Sequence, residues 1–127
     1  MGQTDETRVG TLAWRDLTVP HAERLRDFYT NVVGWGSLDV DMGGYSDFSM
    51  VAPGTGEAVA GICHARGTNA SLPPQWLMYV VVEDLDHSAA KCAELGGEVI
   101  DGPRPLGQGR FCVIKDPAGA FCALYQP

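Results

Sequence analysis

The amino-acid sequence predicts an α+β domain of two βαβββ modules, whose strands form one eight-stranded, cup-shaped sheet. The apolar spacing changes from two residues to a helical period and back, and this cycle occurs twice. The two cycles form an internal repeat, because Val19 aligns with Val82 and Gly34 with Gly97 at a constant offset of 63 residues. The 16 glycines favour many tight turns and therefore short strands.

The first cycle begins with the strand pattern "TLAWRDLTV". The segment "PHAERLRDFYTNVVGW" then carries apolar residues at helical spacing, with Pro20 suited to the start of a helix and Gly34 to its end. Three strand patterns follow, "GSLDVDM", "YSDFSMV" and "EAVAGICHA". We assign module one to residues 11–64, and the polar segment 65–75 is predicted to be a linker.

The second cycle begins with the β-branched and aromatic strand "WLMYVVV". A helix is predicted over "EDLDHSAAKCAELGG", followed by a short strand "EVI", a loop "DGPRPLGQG" and a strand "RFCVIK". The tight turn at residues 116–119 leads to a last strand. Module two therefore covers residues 76–126 of a single domain, 11–127, that follows a flexible arm, 1–10.

Composition and charge exclude several classes of function. The formal net charge of −7 disfavours nucleic acid and an anionic membrane surface as partners. No apolar run reaches the roughly 20 residues of a membrane span. The polar N-terminus has no signal-peptide core, so a cytoplasmic location is expected. The four cysteines form no CxxC pair, and we expect free thiols.

The alternation of the first strand in each module predicts which residues line the cup. Leu17 and Val19, with Val80 and Val82 by the offset, should pack beneath the helices. The alternate residues then face the enclosed side. They are Trp14, Asp16, Thr18, Leu77, Tyr79 and Val81.

The two βαβββ units, the "DFYTNVVGW" helix end and the "DPAG" turn resemble the vicinal oxygen chelate superfamily. This superfamily includes glyoxalase I, bleomycin-resistance proteins and extradiol dioxygenases, and the resemblance covers residues 11–126. It implies the cup-shaped fold and a homodimer, since exposed sheet edges gain from pairing. It does not fix the activity, because these relatives perform different chemistry on one scaffold.

The resemblance also implies where metal ligands would lie. Metal-using relatives take His, Glu or Gln ligands from the first and fourth strands of each module. The corresponding positions here are Trp14, Leu77, Ala60 and Ala123, and their side chains offer no lone pair to a divalent ion. No cofactor is therefore expected, and a divalent metal would require ligands outside the family pattern.

Three polar residues are candidates for catalysis. Asp16 could act as a base or bind a cation, or it could form an ion pair with an arginine such as Arg110. His64, at the end of the fourth strand, could carry a proton at the mouth of the cup or simply be solvated. Tyr79 is the third candidate, and its inward position also makes it a candidate for ligand binding.

The ligand-binding candidates are mostly aromatic or apolar. Aromatic side chains on an inward face can stack on a flat ligand or pack against one another. Arg104, Gln108 and Arg110 lie in or beside the predicted loop. An arginine there could hold a carboxylate, although the loop is more simply interpreted as solvated. The full set of ligand-binding candidates is Trp14, Leu77, Tyr79, Phe121, Ala123, Tyr125 and Arg110.

These features predict a glyoxalase-like protein that binds a small, partly apolar organic molecule without a metal. Resistance by sequestration and metabolite binding both fit this prediction. An alternative is a lyase or isomerase that uses Asp16, His64 or Tyr79, or a metal site of another kind. A third interpretation is a scaffold whose cup is filled by its own side chains.

Overall fold

The computed structural model describes residues 8–127 and confirms the α+β fold of two βαβββ modules. The strands form one mixed sheet in the order β2-β3-β4-β1-β5-β8-β7-β6. Module one contains β1 (Leu12–Val19), α1 (Ala22–Val33), β2 (Gly36–Asp41), β3 (Ser46–Val51) and β4 (Ala58–His64). Module two contains β5 (Trp76–Val81), α2 (Leu85–Glu94), β6 (Glu98–Leu106), β7 (Gly109–Lys115) and β8 (Phe121–Gln126).

Two compact units divide the chain. One unit is formed by residues 15–76, and the other by residues 77–127 together with the described residues up to Trp14. Most of the predicted flexible arm, residues 1–7, lies outside the described residues. The backbone N–H of Gly10 donates to the carbonyl of Val81 (2.8 Å), and the N–H of Val81 donates to the carbonyl of Thr11 (2.9 Å).

Helix α1 ends where the sequence predicts. Gly34 adopts a left-handed conformation (φ +88°), and its N–H donates to the carbonyl of Thr30. The predicted packing of Leu17 and Val19 beneath this helix is confirmed, since both belong to a buried cluster that includes Ala22. The other members of this helix-side core are Phe48, Met50, Ala60 and Ile62, with Leu25, Tyr29, Trp35 and Trp76 packed against it.

Helix α2 begins at a side-chain cap and ends in close packing. The carboxylate of Asp84 accepts from the N–H of His87 (3.1 Å), which satisfies one free donor of the first turn. After the helix, a Cβ at Gly97 would lie 2.6 Å from Sγ of Cys92 and 3.0 Å from the carbonyl of Lys115. The helix-side core of this module contains Leu85, Cys112 and Leu124, with Val80, Val82, Val99 and Ile114 packed against it.

The predicted loop "DGPRPLGQG" is wrong. Residues 98–106 form one strand, β6, and the turn to β7 contains residues 107 and 108. The prolines of this segment indicated a loop because proline cannot donate to a β-ladder. They are accommodated here because β6 is an edge strand and its pairing with β7 has two register shifts, between Val99 and Asp101 and between Asp101 and Arg104.

The constant offset between the modules is also wrong in the last strands. Leu17 pairs with Ile62 in module one, and Val80 pairs with Leu124 in module two. Ile62 therefore corresponds to Leu124, one residue short of the offset that the first strands share. The counterpart of Ala123 is consequently Gly61. Ala60 instead lies in the helix-side core, because a slip of one residue moves a side chain to the other sheet face.

Within residues 8–127, no helix is long and apolar enough to span a membrane. All four cysteines are free thiols.

Candidate functional site

The sheet face of module two opposite helix α2, here called the distal face, carries most of the predicted lining residues. The aligned residues Val80, Leu124 and Cys112 belong to the helix-side core. Strand side chains alternate between faces, so the neighbouring rows of residues point to the distal face. One of these rows contains Tyr79, Ala123 and Val113, and the next contains Val81, Tyr125 and Phe111.

An aromatic and cationic layer lies on the distal face. The rings of Tyr79 and Phe111 are 6.0 Å apart between centroids and are tilted by 31°. The guanidinium carbon of Arg104 lies 4.6 Å from the centroid of Phe111, within the range of a cation–π contact. Asp101 holds this guanidinium, with Nη2 at 2.9 Å from Oδ2 and Nε at 3.3 Å from both carboxylate oxygens. The cation is therefore fixed in position above the ring.

The layer is buried at its aromatic end and accessible at its cationic end. The buried distal residues include Leu77 (2% exposed), Tyr79 (8%), Phe111 (5%) and Ala123 (0%), together with Val81 and Val113. Phe121 and Tyr125 are half-buried, whereas the side chain of Arg104 is 37% exposed. A ligand that approaches this layer would meet Arg104 first.

The positions that the resemblance assigns to metal ligands do not fit a metal. They are Trp14, Leu77 and Ala123, with Gly61 in place of Ala60 once the pairing register is applied. None of these side chains carries an oxygen, thiolate or imidazole ligand. Moreover, residues 8–127 contain no group of three or more His, Cys, Asp or Glu that could hold a metal ion.

Asp16 lies on the corresponding face of module one. It is half-buried and pairs with Gly61, while its neighbour Leu17 points to the helix-side core. Cys63 pairs with Thr18 on the same face. Burial raises the pKa of the Cys63 thiol well above its usual range, and the charges of Asp16 and Asp47 raise it further. This thiol therefore stays neutral and is a poor nucleophile.

His64, the last residue of β4, lies on the helix side of the sheet. Its Nδ1 is 3.0 Å from Oδ1 of Asp47, and its Nε2 is 3.0 Å from Oε2 of Glu23. The side chain is 12% exposed, so it is not a solvated strand end. Both ring nitrogens are occupied, and a role as ligand or proton acceptor would require one of these contacts to break.

The charge of His64 follows from these contacts. Burial of the ring, the strongest single influence, lowers the pKa of His64, but the hydrogen bonds to Asp47 and Glu23 outweigh burial and raise the pKa overall. A hydrogen bond from its own backbone N–H, followed by the one to His64, lowers the pKa of Glu23. The three residues thus form a carboxylate–imidazole–carboxylate cluster that joins helix α1 to strands β3 and β4.

Arg110 is placed away from the distal face. Its guanidinium forms a bidentate ion pair with Asp86 in the first turn of α2. Nη2 lies 3.0 Å from Oδ1, and Nη1 lies 3.2 Å from Oδ2. The hydrogen bonds to Asp86 raise the pKa of Arg110 and lower that of Asp86. Gln108 lies in the exposed turn between β6 and β7.

Several residues of the candidate site have no signal in the sequence pattern. Phe111 belongs to a predicted strand, but the offset did not reveal its face. Asp101 and Arg104 were assigned to a loop, so their pairing at a spacing of three residues was not expected. Asp47 and Glu23 lie 17 and 41 residues from His64, and only the folded chain brings them together.

Comparison with known proteins identifies the family. A sequence model described as "Glyoxalase/Bleomycin resistance protein/Dioxygenase superfamily" matches residues 8–123. The chain belongs to this superfamily. The fold and the resemblance inferred from the sequence are thereby confirmed.

Two curated relatives of this chain are longer than it is. It is 35% identical over 128 residues to "Putative glyoxylase CFP32" of Mycobacterium bovis, which covers 99% of this chain and 49% of the relative. It is 31% identical over 133 residues to "Anthracycline biosynthesis protein DauV" of Streptomyces sp. strain C5, which covers 92% of this chain and 47% of the relative. The chain therefore spans about half the length of these relatives.

Solved structures of the same fold include methylmalonyl-CoA epimerases. One, in complex with methylmalonyl-CoA and NH4+, matches with a TM-score of 0.60 at 14% identity and covers 94% of this chain and 95% of that one. Another, from Mycobacterium tuberculosis, matches with a TM-score of 0.53 at 17% identity and covers 89% and 85%. At these identities the likeness concerns the fold alone.

Proposed function

We propose that this superfamily member binds a small, partly apolar, planar organic molecule on the distal face of module two, without a metal. The observation that carries the proposal is the layer of Tyr79, Phe111 and Arg104. Two adjacent, tilted rings and a fixed cation match a ligand with an aromatic body and an electron-rich group. Such binding serves either sequestration of a toxic compound or the handling of a metabolite.

The names of the relatives support an organic metabolite as the ligand class. Two relatives, at 31% and 30% identity, are named as anthracycline biosynthesis proteins. Their names concern the making of a small organic compound. The chemistry at the family's metal-ligand positions supports the metal-free part of the proposal, because indole, isobutyl and methyl groups cannot coordinate a divalent ion.

The layer is organised before any ligand arrives. Asp101 fixes Arg104 with three polar contacts, so ligand binding need not order a long flexible side chain. Phe111 lies beneath the guanidinium and beside Tyr79. A planar ligand could extend the stack from its exposed, cationic end, where the polar group of the ligand would meet Arg104.

A ligand panel tests the proposal. Planar aromatic metabolites, including anthracyclines, are titrated while the unfolding temperature is followed, alongside aldehyde–glutathione adducts and glycopeptides. At a free concentration 100 times its dissociation constant, a ligand stabilises the fold by about 2.7 kcal/mol. The result that contradicts the proposal is a panel in which no planar compound raises the unfolding temperature.

A matched pair of variants locates the site. Arg104→Met removes the cation that would meet the ligand and should weaken binding about two- to fivefold, since a cation–π contact at an exposed site contributes about 0.5–1 kcal/mol. Arg66→Met is the control, because Arg66 forms an equivalent contact at 3.8 Å from the ring of Tyr45 in module one. If both substitutions weaken ligand binding equally, the distal face is not the binding site.

Titrations with and without metal ions distinguish simple ligand binding from metal-dependent chemistry. The titration is repeated with a chelator and with Mg²⁺, Mn²⁺ or Zn²⁺, and the dissociation constant should be the same in each case. A lyase or isomerase would instead show turnover of glutathione adducts or CoA thioesters. Loss of such turnover in Asp16→Asn, with retention in Arg104→Met, would replace the binding proposal by the enzyme.

We also propose that the protein is a cytoplasmic homodimer. Light scattering of the purified protein measures its mass, and a monomer at micromolar concentration would contradict this part.

A further inference from the structure

A concave site lies in module two, on the sheet face that helix α2 covers. It is a groove of about 430 Å³ between the helix and strands β7 and β8. This volume falls within the range of small-molecule sites, about 300–1,000 Å³. Its walls are almost wholly apolar and include Cys92, Leu95, Ile114, Pro117 and Leu124.

The groove exists because module two lacks two large side chains that module one has. The first residues of the helices, Ala22 and Leu85, are both fully buried, so the offset of 63 residues holds here. Leu25 and Tyr29 of α1 pack against the helix-side core of module one. Their counterparts in α2 are Ser88 and Cys92, which line the groove. Smaller side chains leave the space between helix and sheet unfilled.

The charges at the groove favour a neutral ligand. The ammonium of Lys91 lies 2.8 Å from the carboxylate of Glu94. Oδ1 of Asp116 accepts the backbone N–H groups of Ala118 and Ala120. These two charged lining groups therefore already have partners, and an ionised ligand would have to displace one of them.

We propose that this groove binds a compact, neutral molecule of one or two rings, with the hydroxyl of Ser88 available for one hydrogen bond. The ligand occupies the volume that Leu25 and Tyr29 fill in module one. The site is separate from the distal face, because the two lie on opposite sides of the module-two sheet. It therefore stands or falls independently of the function proposed above.

Protection of Cys92 from alkylation tests the groove in the unaltered protein. The probe is 1-naphthol, and the sites of reaction with N-ethylmaleimide are located by mass spectrometry. At ten times its dissociation constant the probe leaves about one tenth of the sites empty, so alkylation of Cys92 should slow about tenfold. Equal rates at Cys92 with and without naphthol overturn the proposal.

A filling substitution provides the second test. Ser88→Leu places in the groove the side chain that Leu25 has at the equivalent position of module one. It should abolish the protection of Cys92 by naphthol. It should also raise the unfolding temperature by about 3–6 °C, because apolar surface is buried in existing space. Thr30→Leu, at an exposed position of α1, is the control and should leave protection intact. If Ser88→Leu folds and naphthol still protects Cys92 fully, the groove is not the binding site.

Discussion

The two modules fasten their helices to the sheet at the same place by different chemistry. In module one the last residue of β4, His64, contacts Glu23 in the first turn of α1. In module two the last residue of β8, Gln126, accepts the N–H of Leu85, the first residue of α2, at 2.7 Å. Both contacts stabilise a helix start. One is an ion pair that titrates, and the other is a neutral amide that does not.

The glycines after the two helices also occupy equivalent positions for different physical reasons. Gly34 and Gly97 align in sequence, and both follow a helix. Gly34 has a positive φ and open space around its α-carbon, so glycine is required there by the backbone. Gly97 has no room for a Cβ, so glycine is required there by packing. A shared residue type in a repeat is therefore no proof of a shared physical reason.

The largest predicted effect is that of Gly97→Ala. A methyl group would overlap Sγ of Cys92 and the backbone carbonyls of Lys115 and Cys92, and the two carbonyls cannot move aside cheaply. We expect a loss of about 2–4 kcal/mol in the free energy of unfolding. Urea denaturation measures it. Gly54→Ala is the control, because Gly54 has open space and no positive φ, and a similar loss there would refute the packing argument.

Asp47→Ala should be next in size. Oδ1 of this buried carboxylate lies 2.9 Å from the backbone nitrogen of His64 and 3.0 Å from its ring. Removal leaves a backbone donor and a half-paired imidazole behind, at a cost of about 2–3 kcal/mol. Asp39→Ala, on an exposed strand of the same module, should change the free energy of unfolding by less than about 0.5 kcal/mol. Equal effects of the two substitutions would show that the cluster of His64, Asp47 and Glu23 does not stabilise module one.

Gly34→Ala should cost less than Gly97→Ala. Alanine can adopt the left-handed conformation at about 1–2 kcal/mol, and no atom lies within 4 Å of the added methyl group. The two denaturation curves are compared under identical conditions. A reversed order would mean that backbone conformation, rather than packing, dominates at both helix ends.

The smallest effect is the pH dependence of the module-one contact. The pKa of His64 is raised in the folded protein, so its contribution is complete below the unfolded value of about 6.5 and is lost as pH rises through the folded value. The pKa of Glu23 is lowered, so its contribution is lost as pH falls through its folded value. Stability from this contact should therefore be greatest at mildly acidic pH.

Fluorescence distinguishes the two modules in this experiment. Trp35 and Trp76 pack against the helix-side core of module one, so their fluorescence in a Trp14→Phe background reports its unfolding. His64→Gln, which copies the neutral contact of module two, should abolish the loss of stability that accompanies rising pH. An unchanged pH profile in His64→Gln would assign the titration to another group.

The sequence predicted the parts of this fold that depend on local periodicity. The alternation of Leu17, Val19, Val80 and Val82 beneath the helices was correct, since one strand and one helix decide it. Strand β6 was missed because proline signals a loop unless the strand is known to be an edge. His64 was misplaced because its partners Asp47 and Glu23 are distant in sequence. The candidate layer of Phe111, Arg104 and Asp101 was missed in part for the same reason.

The one-residue slip between the halves has a practical consequence for anyone who recombines them. Consider a chimera that joins the start of one half to the closing strand of the other at positions aligned by the sequence offset. Each side chain of that strand would then point to the opposite face of the sheet. Methyl and isobutyl groups meant for the interior would then point outward. The junction of such a chimera must therefore be shifted by one residue from the aligned position. The loop before the strand must then be one residue longer or shorter.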